Sequence, residues 1–201
     1  HSFPTRRSSD LIHPNDGKSL AKDKAIVTVM PKGDLIYPLS QHIGAPASPI
    51  VSVGDHVLKG QKIAEAGGFV SAPIHASVSG TVKAIEPHFN PTGSEVNCIV
   101  VENDGEYQEV EYTPAKPLDE LTKEEILNLI GEAGIVGMGG AGFPTKVKLS
   151  PKEPEKIEYV IANCAECEPY ITADYRRMLE NPEELVSGMK VEIGRASCRE
   201  R

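Results

Sequence analysis

"VSVGDHVLKGQKIAEAGGFVSAPIHASVSGTVKAIEP", Val51 to Pro87, decides the fold of the first half of the chain. Its apolar residues come in short β-branched runs, and Gly54-Asp55, Lys59-Gly60 and Ser79-Gly80 punctuate them as turns. Similar runs flank it: "AIVTVM" from Ala25, "PIVSV" from Pro49 and "CIVVE" from Cys98. Short strands at such close intervals predict a small all-β sandwich or barrel over residues 12–102.

The same stretch resembles the biotinyl and lipoyl carrier domains, which implies a barrel-sandwich hybrid. Carriers need a lysine at the tip of an exposed hairpin, because the prosthetic group is attached through its amine. Here the corresponding tip reads Ala66-Gly67-Gly68-Phe69. The module therefore reads as a scaffold. His42 and His75, both within it, read as partnered histidines of a turn or strand face rather than as ligands.

The whole chain has 201 residues, 39% hydrophobic and 25% charged, enough for one large or two small domains. No run approaches the roughly 18 apolar residues of a membrane span. "HSFPTRRSSDL" and "EIGRASCRER" lack apolar periodicity, look foreign to the protein, and are set aside from fold reasoning as tails 1–11 and 192–201. The missing initiator Met suggests a segment of a longer protein. Setting the tails aside removes five basic and three acidic residues and takes the net charge from −8 to −10. An acidic chain lacks the clustered Lys and Arg that nucleic acid or anionic lipid would require. Three cysteines remain, Cys98, Cys164 and Cys167, an odd number that argues for a reducing cytoplasm over a disulfide scaffold.

Residues 103–119 are acidic, contain two prolines and read as an exposed linker. Thr122 and Glu125 then form an S/T-x-x-E capping box ahead of Ile126, Leu129, Ile130 and Ala133, which repeat at helical spacing, and Gly134 can close the helix. "KIEYVIAN", Lys156 to Asn163, predicts a buried strand, and a helix is expected after Pro169 to about Glu180. Asn181-Pro182-Glu183-Glu184 starts another. Residues 120–191 thus read as the beginning of an α/β domain, and the chain as an α+β, multi-domain protein.

Two constellations in this second part carry chemistry. Gly137-Met138-Gly139-Gly140-Ala141-Gly142 formally satisfies G-x-G-x-x-G. Its context is wrong for a Rossmann unit, because a helix rather than a strand precedes it, Pro144 falls in the opening turn, and the next apolar run ends at Asn163 instead of an acidic residue. No Walker G-x-x-x-x-G-K-[ST] occurs either. What remains is a backbone concavity suited to a phosphate or the edge of a flat ring, with Lys146 and Lys148 adding charge, or a tight structural turn.

The second constellation is "NCAECEPY", Asn163 to Tyr170. Following a strand, it would be well placed to face the glycine loop. Cys164 and Cys167 are too few thiols for a zinc or cubane site alone, and Glu166 and Glu168 beside them oppose thiolate formation. Asn163, Glu166 and Glu168 suit hydrogen bonding to a cofactor's hydroxyls and amide. A solvated polar turn is the plainer alternative.

"GIVGMGGAGFPTKVKL" and "NCAECEPYITADYRRM" closely resemble RnfC of the Rnf ion-translocating electron-transport complex and, more distantly, the flavin- and NADH-binding subunit of respiratory complex I. "PLSQHIGAPASPIVSVGDHVLKGQKIAEAGGFVSAPIHASVSG" resembles the N-terminal part of the same Rnf protein. The resemblance implies an oxidoreductase that exchanges electrons between NAD(H) and ferredoxin through FMN, 4Fe-4S clusters and further subunits, from a peripheral position on the cytoplasmic side of the bacterial inner membrane. It places Gly137, Gly139, Gly140, Gly142 and Lys148 against the flavin. Asn163, Glu166 and Glu168 fall near flavin and nicotinamide, the two glutamates as orienting acceptors of the catalytic site. Ala165 stands where the complex I relative has an aspartate. The cluster motifs of RnfC are absent from this segment, and no metal ligands are assigned within it. The paralogous corrinoid reductases of bacterial microcompartments, with similar loops, are the second reading; a carrier or assembly module is the third.

Overall fold

A computed structural model of the chain describes residues 15–113, 116–138 and 140–195. Gly139 and residues 1–11 and 196–201 of the two expected tails lie outside the described residues. Two compact units form: residues 30–160 with 191–195, and residues 15–29 with 161–190.

The first unit is built on seven strands: β1 (Leu35–Pro38), β2 (Ser48–Pro49), β3 (His56–Val57), β4 (Lys62–Glu65), β5 (Ile74–His75), β6 (Gly80–Phe89) and β7 (Glu95–Asn103). They form an antiparallel sheet of order β1-β7-β6-β3 and a second of order β2-β4-β5. β7 is central, paired with both β1 and β6. That explains the unbroken apolar run Cys98-Ile99-Val100-Val101, in which both faces are buried. The inward faces of the two sheets meet in one core of Tyr37, Leu39, Val57, Ile63, Ile74, Val78, Val82, Ile99 and Val101. Burying each such aliphatic side chain contributes about 1.5–3 kcal/mol.

The turns at Gly54 (φ 96°) and Gly60 (φ 85°) are left-handed, as the sequence punctuation required. A register shift between Val82 and Ala84 leaves Lys83 unpaired at a bulge, its ammonium 2.8 Å from Asp34. Beyond the bulge β6 leaves the core, and Ile85 and Phe89 are exposed.

Three expectations need revision. "AIVTVM" is not a strand: Val27 and Val29 are exposed, and no pairing forms. Lys156 to Asn163 is extended but not a strand, with Tyr159 and Ile161 exposed. Both runs have strand composition, but a strand exists only where a neighbour takes its backbone hydrogen bonds, and among the described residues none does. Residues 103–112, expected as an exposed connection, are tied to the barrel. Lys59 N–H donates to Gln108 O (2.8 Å), Val110 N–H to Lys59 O (2.9 Å), and Gln108 N–H to the buried Ser79 hydroxyl (2.9 Å).

Four helices follow: α1 (Lys123–Glu132), α2 (Thr145–Lys148), α3 (Ala173–Glu180) and α4 (Pro182–Arg195). α1 and α2 belong to the first unit. α3 and most of α4 belong to the second.

Candidate functional site

The glycine-rich turn is held from both ends. Upstream, Thr122 caps α1: its hydroxyl accepts from Glu125 N–H (3.2 Å), and the Glu125 carboxylate accepts from Thr122 N–H (2.8 Å). The Thr122 amide, then Lys116, hold the Glu125 carboxyl down to about 2. Ile126 and Ile130 are buried, and Gly134 (φ 67°) ends the helix as expected. A Cβ on Gly134 would lie 2.5 Å from Pro73 O, so the helix end can meet β5 only as glycine. Lys62 bridges Glu65 of its own strand and Glu132 of α1, which raises the lysine above its usual range. Burial, then the Lys62 charge, pushes the His75 imidazole below its usual value.

Between α1 and α2 the chain makes a narrow reversal. Val136 pairs with Pro144, Gly137 N–H donates to Phe143 O (2.8 Å), and Thr145 N–H donates to Ile135 O (3.0 Å). The tip leans on the β-module turn Gln41–Ile43, where Ile43 N–H donates to Ala141 O (3.0 Å). Gly142 (φ 54°) presses so closely that a Cβ would meet Gln41 O at 2.8 Å. His42 anchors that turn from below. It is buried, with Nδ1 3.1 Å from Ile43 O and Nε2 3.1 Å from Ala72 N; a neutral ring protonated on Nδ1 satisfies both.

The glycines of the turn therefore separate into two kinds. Gly142 is required by backbone conformation and packing. Gly137 and Gly140 are not: neither has positive φ, a Cβ on Gly137 would make only ordinary contacts at 3.7 Å, and one on Gly140 would meet nothing within 4 Å. Met138 at the tip is 98% exposed. Lys148, at the end of α2, is exposed as well. Beside the turn lies a cleft of about 220 Å³ lined by Phe69, Gly131, Ile135, Pro144 and Lys146. That is below the roughly 300 Å³ where ligand pockets begin, so this unit offers a nucleotide a surface rather than an enclosure.

In the second unit the polar loop 163–172 is organised by side chains. Asn163 Oδ1 accepts from Ala165 N–H (3.1 Å), an Asx turn. Cys164 is half-buried and Cys167 exposed, both as free thiols. Glu166 turns inward, its side chain 7% exposed, with Oε1 accepting from Asp174 N–H in the first turn of α3 (3.0 Å). Glu168, two residues on, is exposed. Two carboxylates that read alike in the motif thus sit in different surroundings.

What sequence reasoning missed is the partner of this loop, Asn15-Asp16-Gly17-Lys18. Two Asx bonds fold it, Asn15 Oδ1 to Gly17 N–H (3.1 Å) and Asp16 Oδ1 to Lys18 N–H (3.2 Å). Lys18 Nζ donates to Ile171 O (2.7 Å) and Glu168 O (3.1 Å) and lies 3.8 Å from Glu166 Oε2. Tyr170 N–H donates to Asp16 O (2.5 Å), and the Tyr170 ring packs so tightly on Gly17 that a Cβ there would fall 2.3 Å from it. The Asn-Asp-Gly turn signature was the one available signal.

Comparison with known proteins agrees with both halves. The RnfC barrel sandwich hybrid domain matches residues 8–106, and the Nuo51 FMN-binding domain matches residues 130–199. The RnfC subunit of the proton-translocating ferredoxin:NAD(+) oxidoreductase complex of Clostridium ljungdahlii is 48% identical over 182 residues, 90% of this chain and 40% of that protein. The chain belongs to the RnfC family. The corresponding subunit of the Na(+)-translocating complex of Acetobacterium woodii is 45% identical over 78% of this chain, and that of the ion-translocating oxidoreductase complex of Vibrio cholerae 41% identical over 90%. The chain spans 36% of the length of the former and 23% of the latter. In RnfC terms, the scaffold reading of the lysine-free barrel and the flavin reading of the second part both have a matched domain behind them.

Proposed function

We propose that this chain carries the flavin- and nicotinamide-facing part of an RnfC subunit, in a membrane-associated, ion-translocating complex that exchanges electrons between ferredoxin and NAD. The observation that carries this reading is a turn in an FMN-binding domain whose Gly137 and Gly140 lack side chains for no reason internal to the protein. Glycine there fits a ligand that approaches the backbone closely. NAD(H), 4Fe-4S clusters in the whole protein, and neighbouring subunits through which ferredoxin is reached complete the proposal. The location is peripheral, on the cytoplasmic side of the bacterial inner membrane. Among the described residues no helix is long and apolar enough to cross a membrane.

FMN, when bound, supplies the conversion between two-electron hydride exchange and one-electron transfer. Gly140, with Gly139 and Gly137 beside it, leaves room for the cofactor. Gly137 N–H, spent on Phe143 O, serves to shape the turn and not as a donor. Gly142 acts indirectly by seating the turn on Gln41–Ile43. Lys148 supplies positive charge for a phosphate. Hydride exchange needs no protein acid on the donor carbon, so the carboxylates orient and do not transfer protons. Glu168, exposed, accepts from the dinucleotide's amide or hydroxyls, Asn163 shapes the loop beside it, and Glu166 fixes the loop from within.

Gly140→Val tests the reading. Because a side chain at 140 points into open space, the variant folds normally, and flavin affinity falls by about tenfold, roughly 1.4 kcal/mol. The measurement is flavin content of the full-length protein after anaerobic purification with its complex. Wild-type flavin content in Gly140→Val would end the assignment.

A further inference from the structure

The buried Glu166 Oε2 has no hydrogen-bond partner among the described residues, and the ammonium of Lys18 stands 3.8 Å away. That ammonium is committed elsewhere, to Ile171 O and Glu168 O. We propose that Lys18 is a positioning residue that latches the Glu166–Ile171 loop and so holds Glu168 in place for the dinucleotide. The inference rests on the reading of Glu168 given above.

A lysine suits the place. Its ammonium has three donors on a compact charge, able to reach two carbonyls and a carboxylate in divergent directions, where a planar guanidinium favours a flat, two-pronged partner. The latch also settles two local costs. A carboxylate with a 7% exposed side chain needs a nearby counter-charge, since a buried unpaired charge is far more expensive than a buried pair. Tyr170 adopts φ 68°, a left-handed conformation that a non-glycine residue keeps only when its surroundings impose it. They do so through the Tyr170 N–H bond to Asp16 O and the ring's seat on Gly17. Glu168 lies between these ties, with its own carbonyl held by Lys18 and its side chain in solvent. Its backbone is thus ordered before any ligand arrives, and binding need not supply that order.

Two thiols in the same loop report on it independently of activity. Cys164 is half-buried and Cys167 exposed. In the full-length protein, within its complex, Lys18→Met is expected to raise the N-ethylmaleimide reaction rate of Cys164 about tenfold, followed peptide by peptide by mass spectrometry, with a smaller change at Cys167. Amide exchange over 163–172 accelerates in parallel. KM for NADH rises more than kcat falls, flavin content stays near wild type, and Lys18→Arg restores most of the KM. Gly17→Ala, which keeps the ammonium but displaces the Tyr170 ring, gives the same signature more weakly and serves if Lys18→Met does not fold. Unchanged Cys164 reactivity and exchange in Lys18→Met would overturn the latch, and a loosened loop with unchanged KM would overturn its positioning role. Glu168→Gln separates the two levels. Unaltered NADH oxidation in that variant removes the dinucleotide reading, while the thiol and exchange results still decide whether Lys18 orders the loop.

Discussion

The glycine turn 134–145 and the polar loop 163–172 are both short, irregular and rich in functional candidates, yet they are held by opposite means. The turn is fixed by backbone: a two-residue ladder between its arms, Ile43 N–H on Ala141 O, and glycines where a Cβ would collide with a carbonyl. The loop is fixed by side chains: one lysine on two carbonyls, a glutamate on a helix amide, and a tyrosine ring on a glycine. Backbone ties and excluded volume tolerate no substitution at the contact but are indifferent to charge. Side-chain ties tolerate reshaping but fail when one charged atom is removed. A turn that only has to leave room for a ligand can be of the first kind, whereas a loop that must present a carboxylate needs ordering around it.

The largest effect that tests this contrast is expected at Gly142. Gly142→Val forces a β-branched residue into a left-handed conformation and drives Cβ toward Gln41 O, at a cost of roughly 2–4 kcal/mol. The expected result is a lower Tm and fast amide exchange over 135–145, while Gly140→Val two positions away leaves both unchanged. Equal destabilisation by the two variants would erase the distinction between seated and open glycines. A smaller loss is expected from Thr122→Ala, which removes the α1 cap: about 1 kcal/mol, seen in chemical denaturation. An unchanged midpoint there would mean that α1 is held by Ile126 and Ile130 alone.

Legibility in the sequence followed the distance between partners. The Thr122 capping box was readable because its two members are three residues apart, and the left-handed turns at Gly54, Gly60 and Gly134 because glycine itself is the signal. The run Cys98–Val101 was correctly read as a strand. "AIVTVM" and "KIEYVIAN" have equal β propensity and form nothing, since propensity does not supply a partner. In the candidate site, spacing found the glycines but could not tell Gly142, locked against Gln41, from Gly140, open to solvent. It found both carboxylates but not that Glu166 would turn inward, because the cation facing it, Lys18, lies at the other end of the chain. Motifs carry local geometry, and the long-range tie that orders them is invisible until the chain is folded.

The smallest effect is electrostatic and reaches the glycine turn through α1. Hydrogen bonds from the Thr122 amide, then from the Lys116 ammonium and the Thr122 side chain, depress Glu125 from 4.5 to about 2 in the folded chain. A carboxyl whose folded value lies below its unfolded one contributes stability that is fully present above the unfolded value and lost as pH falls through the folded one. The contribution is therefore complete above about pH 5 and drains away between about pH 4.5 and 2. Because Glu125 is solvent-exposed, the change is modest, and other carboxylates titrate over the same window. The difference between wild type and Glu125→Gln isolates it: the stability gap, measured by urea denaturation at fixed ionic strength, is expected to be constant from about pH 7 to 5 and to narrow steadily below. A gap that stays constant down to about pH 3 would mean that the charge on Glu125 does not contribute to capping, and that α1 presents the glycine turn through its buried isoleucines alone.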